Sequence, residues 1–589
     1  MWLTPLLFRS PSSSQARAAE TRFVSALAQI ELPNGTWPEL LPWLQAVSAS
    51  TVPAQREVAL QALYMLLDTI VTTPASPGAS VTGNVAAMLS LLQSSLSSES
   101  IGARVWTIRA LGKLSEYIEV GEDREIAAFQ SIIPAIVEVL SISLEATDEA
   151  SAKSIFEVIE GLTLSETPLL TPHLAALVQF LLTASANQNY DNDLRIMSLN
   201  SLLWIVKFKK SKIQSLNLAG PIITGLLPIG AEPEPTEADE DVPARTAFRV
   251  IDTLATSLPP AQVFPPLFEQ VRALSQSPDP LMRKSAITAF GVVVEGCSLF
   301  IQPHLESLWP LIQAGLSDPE VVVRKAACTA LGCLCEMLDE DCAAQHAMLM
   351  PLIAKLIGDP ETQRSACVAL DCLLEVLGNE IEPYIPSLME SLLALLENAP
   401  LNLKGTVVGA IGSAAHASKV KFTPYFTAAM QRIVPFLALT EEGDELDLRG
   451  VAQDTVGTLA EAVGKEMFRP YYAPLMEAAF QAMAVPNAPQ LKECSYIFFA
   501  VVARVYQEEF ASYLPTVMPI LLGAVQQNEI DESAFLGADD SAHFSTGADD
   551  DDDDFEDIDE VSWSNLVGLL HPERQTDLSC WLERRTLTR

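Results

Sequence analysis

The sequence predicts an all-α fold, a solenoid of antiparallel helix pairs. Three observations predict it. A basic residue recurs as Arg56, Arg104, Lys153, Arg195, Arg245, Arg283, Arg324, Arg364, Lys404, Arg449 and Lys492, at spacings of 38 to 50 residues. A small or apolar helical stretch follows most of these, as in 324-RKAACTALGCLCEML. A proline precedes most of them in the series Pro134, Pro172, Pro221, Pro266, Pro310, Pro351, Pro386, Pro435 and Pro474, with Pro519 after the last. Two marks alternating at this period are the signature of a repeat array, in which each unit buries its apolar face against its neighbours.

Within each unit the first helix carries an apolar stripe, and its proline bends it or marks an entry turn. Leu305, Leu308, Ile312 and Leu316 share one face of such a helix. A short turn follows, often Asp-Pro: Asp279-Pro280, Asp318-Pro319, Asp359-Pro360. There Asp is expected to cap the second helix and Pro to occupy its first turn. The second helix shows the recurring cation and is rich in Ala, Gly and Ser, which permits close stacking. About eleven pairs, with half units at both ends, are expected over residues 15–528. Residues 1–14 are expected to be a disordered amino terminus. The segment 229–241 inserts six acids between the helices of one pair. Residues 529–560 hold 15 acids and no Lys or Arg, a density that predicts a solvated disordered segment. Residues 561–589 form a tail without the repeat's marks.

A chain of 589 residues exceeds a single compact core, and its 49% hydrophobic content excludes general disorder. The net charge of −39 argues against wrapping nucleic acid, whose phosphates need clustered Lys and Arg. It favours basic protein partners. The nine cysteines are scattered, mostly on apolar helix faces, and read as reduced thiols packed as small hydrophobes. Cys333 and Cys335 would point apart on a helix, against a shared metal. No apolar run approaches bilayer length, so no membrane insertion is expected. The opening MWLTPLLFRSPSSSQARAAE has the wrong charge order for a secretory signal and weakly resembles a transit peptide.

Catalytic chemistry is not expected. The six histidines lie in different units or tails, and none sits in HExxH or beside a nucleophile. Neither GxxxxGK[ST] nor a GxGxxG after a strand occurs. No cofactor is implied. Candidate binding residues are polar side chains on the small faces of second helices, which would line the concave side: Asp371, Glu375, Ser413, Asp454, Thr458, Glu461, Ser495 and Tyr496. A simpler reading leaves them wet or paired with neighbouring repeats. The acidic run Asp549, Asp550, Asp551, Asp552, Asp553, Asp554, Glu556 and Asp557 is either a solubilising segment or a tethered polyanion that competes for basic ligands. The cluster Lys207, Lys209, Lys210 and Lys212 is either an exposed helix end, offsetting the helix dipole, or a contact for an acidic partner.

The runs 243-PARTAFRVIDTLATSLPPAQVFPPL, 320-EVVVRKAACTALGCLCEML, 409-GAIGSAAHASKVKFTPYF, 456-VGTLAEAVGKEMFRPYYAPLM and 494-CSYIFFAVVARVYQEEFASYLPTVMPILL resemble the importin-beta (karyopherin-beta) family, in particular its importin-four subgroup. The resemblance covers roughly residues 15–560. It implies a HEAT-repeat, right-handed superhelix that carries cargo through nuclear pores and releases it to Ran-GTP. It also implies basic cargo such as histones and ribosomal proteins, contacts with nucleoporin FG repeats, a monomer, and shuttling between cytoplasm and nucleus. The acidic segment matches the family's acidic loop in position and composition, and the lysine cluster suggests a Ran contact. Members of the family carry further repeats before and after the matching region, so the chain is expected to be the middle of a longer receptor. The alternative function is a HEAT scaffold or a chaperone of basic proteins without transport.

Overall fold

In the computed structural model the described residues are 14–32, 37, 39–72, 82–233, 242–441, 443–486 and 488–524. They contain helices and turns and no strand. Most of the insert 229–241, the acidic segment 529–560 and the tail 561–589 lie outside them, as do residues 1–13.

Every recurring cation falls near the start of a second helix. These helices are Pro53–Thr72, Ile101–Ser115, Glu149–Leu164, Asn192–Phe208, Pro243–Ser257, Pro280–Val292, Val321–Met337, Gln363–Leu377, Leu401–Ser418, Asp444–Val463 and Pro489–Tyr506. They number repeats 1 to 11. Ser14–Glu31 packs on the second helix of repeat 1, and residues 507–524 follow repeat 11. The chain divides into two compact units, one extending in the main to Phe300 and the other from Ile301.

Within each unit consecutive second helices stack directly on one another. Small residues allow it: a Cβ on Gly112 would lie 2.8 Å from the Val158 side chain of the next repeat. The first helices close the apolar faces. In repeat 7, Leu305, Leu308, Ile312 and Leu316 are all buried, as their spacing requires. The run Asp123–Glu145 is long and apolar enough to cross a membrane, but here it is two helices, Asp123–Gln130 and Ile133–Glu145. Ile133, Ile136, Val139, Leu140 and Leu144 of the second are buried in the repeat core.

In several repeats the recurring arginine ties down the turn between the two helices. Arg324 donates from Nη1 to the carbonyls of Asp318 (2.9 Å) and Pro319 (2.8 Å). Arg283 does the same with Ser277 (2.9 Å) and Pro278 (3.3 Å), and Arg56 with Ser50 (3.1 Å). These carbonyls lie where the first helix has ended and have no helical partner of their own. Two arginines also reach the next repeat: Arg324 Nη2 pairs with Asp359 Oδ2 at 2.8 Å, and Arg195 pairs with Glu232. Arg195 is 3% exposed, and its Nε donates to the Ser185 carbonyl at 2.7 Å.

Two of the three Asp-Pro turns depart from expectation. Asp279, Asp318 and Asp359 do accept backbone N–H groups, but two residues on, from Leu281 (2.9 Å), Glu320 (2.9 Å) and Glu361 (3.1 Å). All three are Asx turns across the proline. Asp279, directly before Pro280, also caps its helix as expected, whereas Asp318 and Asp359 do not. In repeats 7 and 8 the helix begins only at Val321 and Gln363, past the proline. Pro sits in the first turn only in repeat 6 of these three, at Pro280.

One acid is buried in the first unit. Asp252, on the second helix of repeat 5, is 6% exposed. Burial, and secondarily the charge of Glu295, pushes its carboxyl up to about 8.

Replacing Arg324 by Ala removes two charge-assisted bonds to turn carbonyls and one ion pair. The expected loss is about 2 kcal/mol, read as a lower urea midpoint, with Arg324→Lys restoring less than half. Asp252 ionises in the folded state well above its unfolded value, so the stability its protonated form gives is complete below pH 3.8 and fades as pH rises toward about 8. Asp252→Asn is therefore expected to raise the melting temperature at pH 8 and to flatten its fall between pH 5 and 8. A parallel fall in wild type and variant would refute the assignment.

Candidate binding surface

The eight candidate residues divide by burial. Ser413 (3% exposed), Asp454 (6%), Thr458 (4%) and Ser495 (0%) are inside. The expectation that they line an accessible face is corrected: they offer a ligand no surface in this conformation. The Ser495 hydroxyl donates to the Leu491 carbonyl one turn back at 2.8 Å, and Thr458 Oγ1 lies 3.5 Å from that of Asp454. Such a bond satisfies a hydroxyl within its own helix and lets it be buried. Asp454 lies near the Cys494 thiol of the next repeat, whose ionisation is pushed well up by burial first and by Asp454 second.

The other four reach the surface to different degrees. Asp371 is half-buried and Glu375 exposed, both on the second helix of repeat 8. Glu461 is half-buried and lies 3.6 Å from Arg504 of the next repeat. Tyr496 is half-buried, and burial raises its phenol.

The structure brings Asp371 and Glu375 together with an acid that the sequence reading missed. The half-buried Cys372 thiol is pushed well above its usual range, first by burial and then by Glu336, Asp371 and Glu375. Glu336 ends the second helix of repeat 7 and is exposed. Three carboxylates on two adjacent second helices therefore act on the charge of one thiol. A signal for Glu336 was present: it lies twelve residues after Arg324, as Asp68, Glu116, Lys207, Glu295, Glu461 and Arg504 lie twelve after their own marks. That offset places a charge in or near the last turn of a second helix.

The lysine cluster is split. Lys207, Lys210 and Lys212 are exposed, and Lys207 lies 5.8 Å over the Phe208 ring, itself stacked on Trp204 at 5.3 Å. Lys209 donates to the Ser165 carbonyl of the previous repeat at 2.6 Å, and burial lowers its ionisation. It is a structural tether. The acidic run Asp549–Asp554 with Glu556 and Asp557 lies outside the described residues.

A second surface lies on the first helices of repeats 4, 5 and 6, Leu174–Ala186, Ala219–Gly230 and Pro260–Leu274. A groove of about 820 Å³ runs between them, lined in part by Leu182, Gly220, Pro221, Gly225 and Pro266. The two glycines leave it open, since a Cβ on Gly225 would stand 3.1 Å from Leu182.

No group of three or more His, Cys, Asp or Glu side chains is placed to hold a metal ion among the described residues. Among the described residues eight cysteines are free thiols, seven of them buried.

Comparison with known proteins agrees with this architecture. Family profiles described as "IPO5-like, TPR repeats", "HEAT-like repeat" and "Importin subunit beta-1-like, TPR repeats" match residues 12–180, 280–334 and 355–538. The chain is 33% identical over 533 residues to the probable importin subunit beta-4 of Schizosaccharomyces pombe, covering 90% of this chain and 49% of that protein. It is 30% identical over 520 residues to human importin-4, covering 84% and 47%. The chain thus spans about half the length of these curated relatives. Its fold matches the crystal structure of Kap121p with a TM-score of 0.75 at 20% identity, over 88% of this chain and 51% of that one. A match of similar quality is Kap121p bound to Pho4p, with a TM-score of 0.75 at 20% identity, again over 88% and 51%. The repeat architecture, the profiles and the relatives agree: the chain belongs to the importin-beta (karyopherin-beta) family.

Proposed function

We propose that the chain is part of a nuclear import receptor and that its second-helix face binds basic protein cargo. The observation that carries this is the presence of Glu336, Asp371 and Glu375, half-buried or exposed, on two second helices that pack against each other. Carboxylates on adjacent helices favour Lys and Arg side chains of a bound segment, and the chain's net charge of −39 steers such a segment toward it. Glu461 and Tyr496 extend the proposed contact, an acid and an aromatic of the kind that anchors bound peptides. Solved structures of the neighbour Kap121p with Pho4p and with the SUMO protease Ulp1p support a protein cargo. Histones and ribosomal proteins have the required charge. The acidic run 549–557 acts on this reading as a competing polyanion.

The groove on the first helices suits a Phe side chain, which it would take from water into contact with Leu182, Pro221 and Pro266. On this reading it receives nucleoporin FG repeats; Kap121p has been solved bound to Nup53p. Ran-GTP releases the cargo, with Lys207, Lys210 and Lys212 as a contact, and the protein shuttles between cytoplasm and nucleus as a monomer. Catalysis plays no part.

Binding of a fluorescent histone-tail peptide tests the reading. The wild type is expected to bind it with an affinity that falls steeply with salt. The triple variant Glu336→Lys, Asp371→Lys, Glu375→Lys is expected to weaken binding by roughly tenfold or more, as each charge reversal costs a kcal/mol or so at a partly desolvated pair. Equal binding by both proteins would refute the site. Adding GTP-loaded Ran separates transport from its alternatives: a scaffold or chaperone of basic proteins would keep its ligand.

A further inference from the structure

The first unit carries a cation cluster that the cargo reading does not use. It sits on the second helices of repeats 1 and 2, Pro53–Thr72 and Ile101–Ser115. The Arg109 guanidinium carbon lies 4.8 Å from the centre of the Tyr64 ring and 4.5 Å from that of Trp106. The two rings are themselves 5.7 Å apart and tilted by 50°. Lys113 stands beside them, its Nζ 5.5 Å over Tyr64. All four side chains are half-buried.

Lys113 and Tyr117 engage a carboxylate of the same helix as Tyr64. Asp68 accepts from Lys113 Nζ at 2.5 Å and from the Tyr117 hydroxyl at 3.1 Å. Burial, followed by that hydrogen bond and the charges of Asp68 and Glu116, pushes the Tyr117 phenol up to about 12, so it stays a donor. Arg109, in contrast, makes no hydrogen bond and no ion pair among the described residues. Two aromatic rings flank its guanidinium, yet its N–H donors have no protein acceptor among the described residues. A guanidinium fixed in this way has given up its rotational freedom before any ligand arrives, and its fork matches two oxygens of one oxyanion.

We infer that Arg109, clamped by Tyr64 and Trp106, is a receptor for an oxyanion side chain on an acidic segment of a partner protein. The ligand group is a carboxylate or a phosphorylated hydroxyl, taken bidentately. The aromatic pair also supplies an apolar platform for the residue beside it. This site is opposite in charge to the proposed cargo surface on repeats 7 and 8, and it stands whether or not that surface binds cargo.

The test uses the full chain and three short fluorescent peptides, identical except that four positions carry Glu, phosphoserine or Gln. Expected are salt-sensitive binding of the Glu or the phosphoserine peptide and none of the Gln peptide. Which of the two binds tells carboxylate from phosphate. Arg109→Gln is expected to lose roughly tenfold or more in affinity, the scale of a charge-assisted bidentate contact. Arg109→Lys keeps the charge but not the fork and is expected to lose most of the same affinity. Trp106→Phe keeps a ring and is expected to bind nearly as wild type. Circular dichroism and thermal melting establish that each variant is folded, and the histone-tail peptide, expected to bind all of them equally, reports on the other surface. Failure of both acidic peptides to bind, or equal binding by folded Arg109→Lys and wild type, would overturn the inference. Were Arg109→Gln not to fold, Arg109→Lys decides.

Discussion

The structure depends on a constraint at the turn inside each repeat. Two antiparallel helices joined by a few residues leave carbonyls that neither helix can use, next to an apolar core that excludes water. Water cannot serve these groups from the buried side, and leaving them unmade costs more than a typical hydrogen bond gives. An arginine one turn into the second helix reaches back and takes two carbonyls at once on its Nη1, as Arg283 and Arg324 do, while the other arm of the Arg324 fork, Nη2, reaches Asp359. Lysine has a point charge and no fork, which fits its use in only three of the eleven repeats. With the turn tied, the helix pair is a rigid unit, and stacking of small faces does the rest.

The same device shows why so much of the fold was legible in the sequence. The cation must sit at a fixed distance from the turn, so it keeps a period that insertions in loops disturb only slightly. Its partners are backbone atoms, which need no partner residue in the sequence. The Asp-Pro turns were legible as turns but not as Asx turns. Asp before Pro can cap a helix or bond two residues on, and only the backbone decides.

The binding surface was less legible. Polar residues on a small-residue face read as exposed in the sequence, yet Ser413, Asp454, Thr458 and Ser495 are buried because the neighbouring second helices close over them. In repeat 10 nearly the whole helix from Leu448 to Ala460 is covered. A hydroxyl that bonds to its own helix needs no water, so its polarity says little about its exposure. Glu336 went unnoticed at the end of an apolar, cysteine-rich run. The Arg109 cluster could not be read at all, since its rings come from helices 42 residues apart whose rotation about their axes fixes the contact.

Bonds that join one repeat to the next span short stretches of chain, 14 residues from Ile70 to Asn84, 35 from Arg324 to Asp359, 49 from Ile118 to Thr167 and 58 from Leu227 to Ser285. None of these waits for a distant part of the chain. During synthesis each repeat can therefore close on its predecessor soon after it leaves the ribosome, and the cost of loop closure stays nearly constant as the array lengthens. The tether that holds a turn in place also makes growth of the array a sequence of short, similar steps, in which an error in one repeat is paid locally.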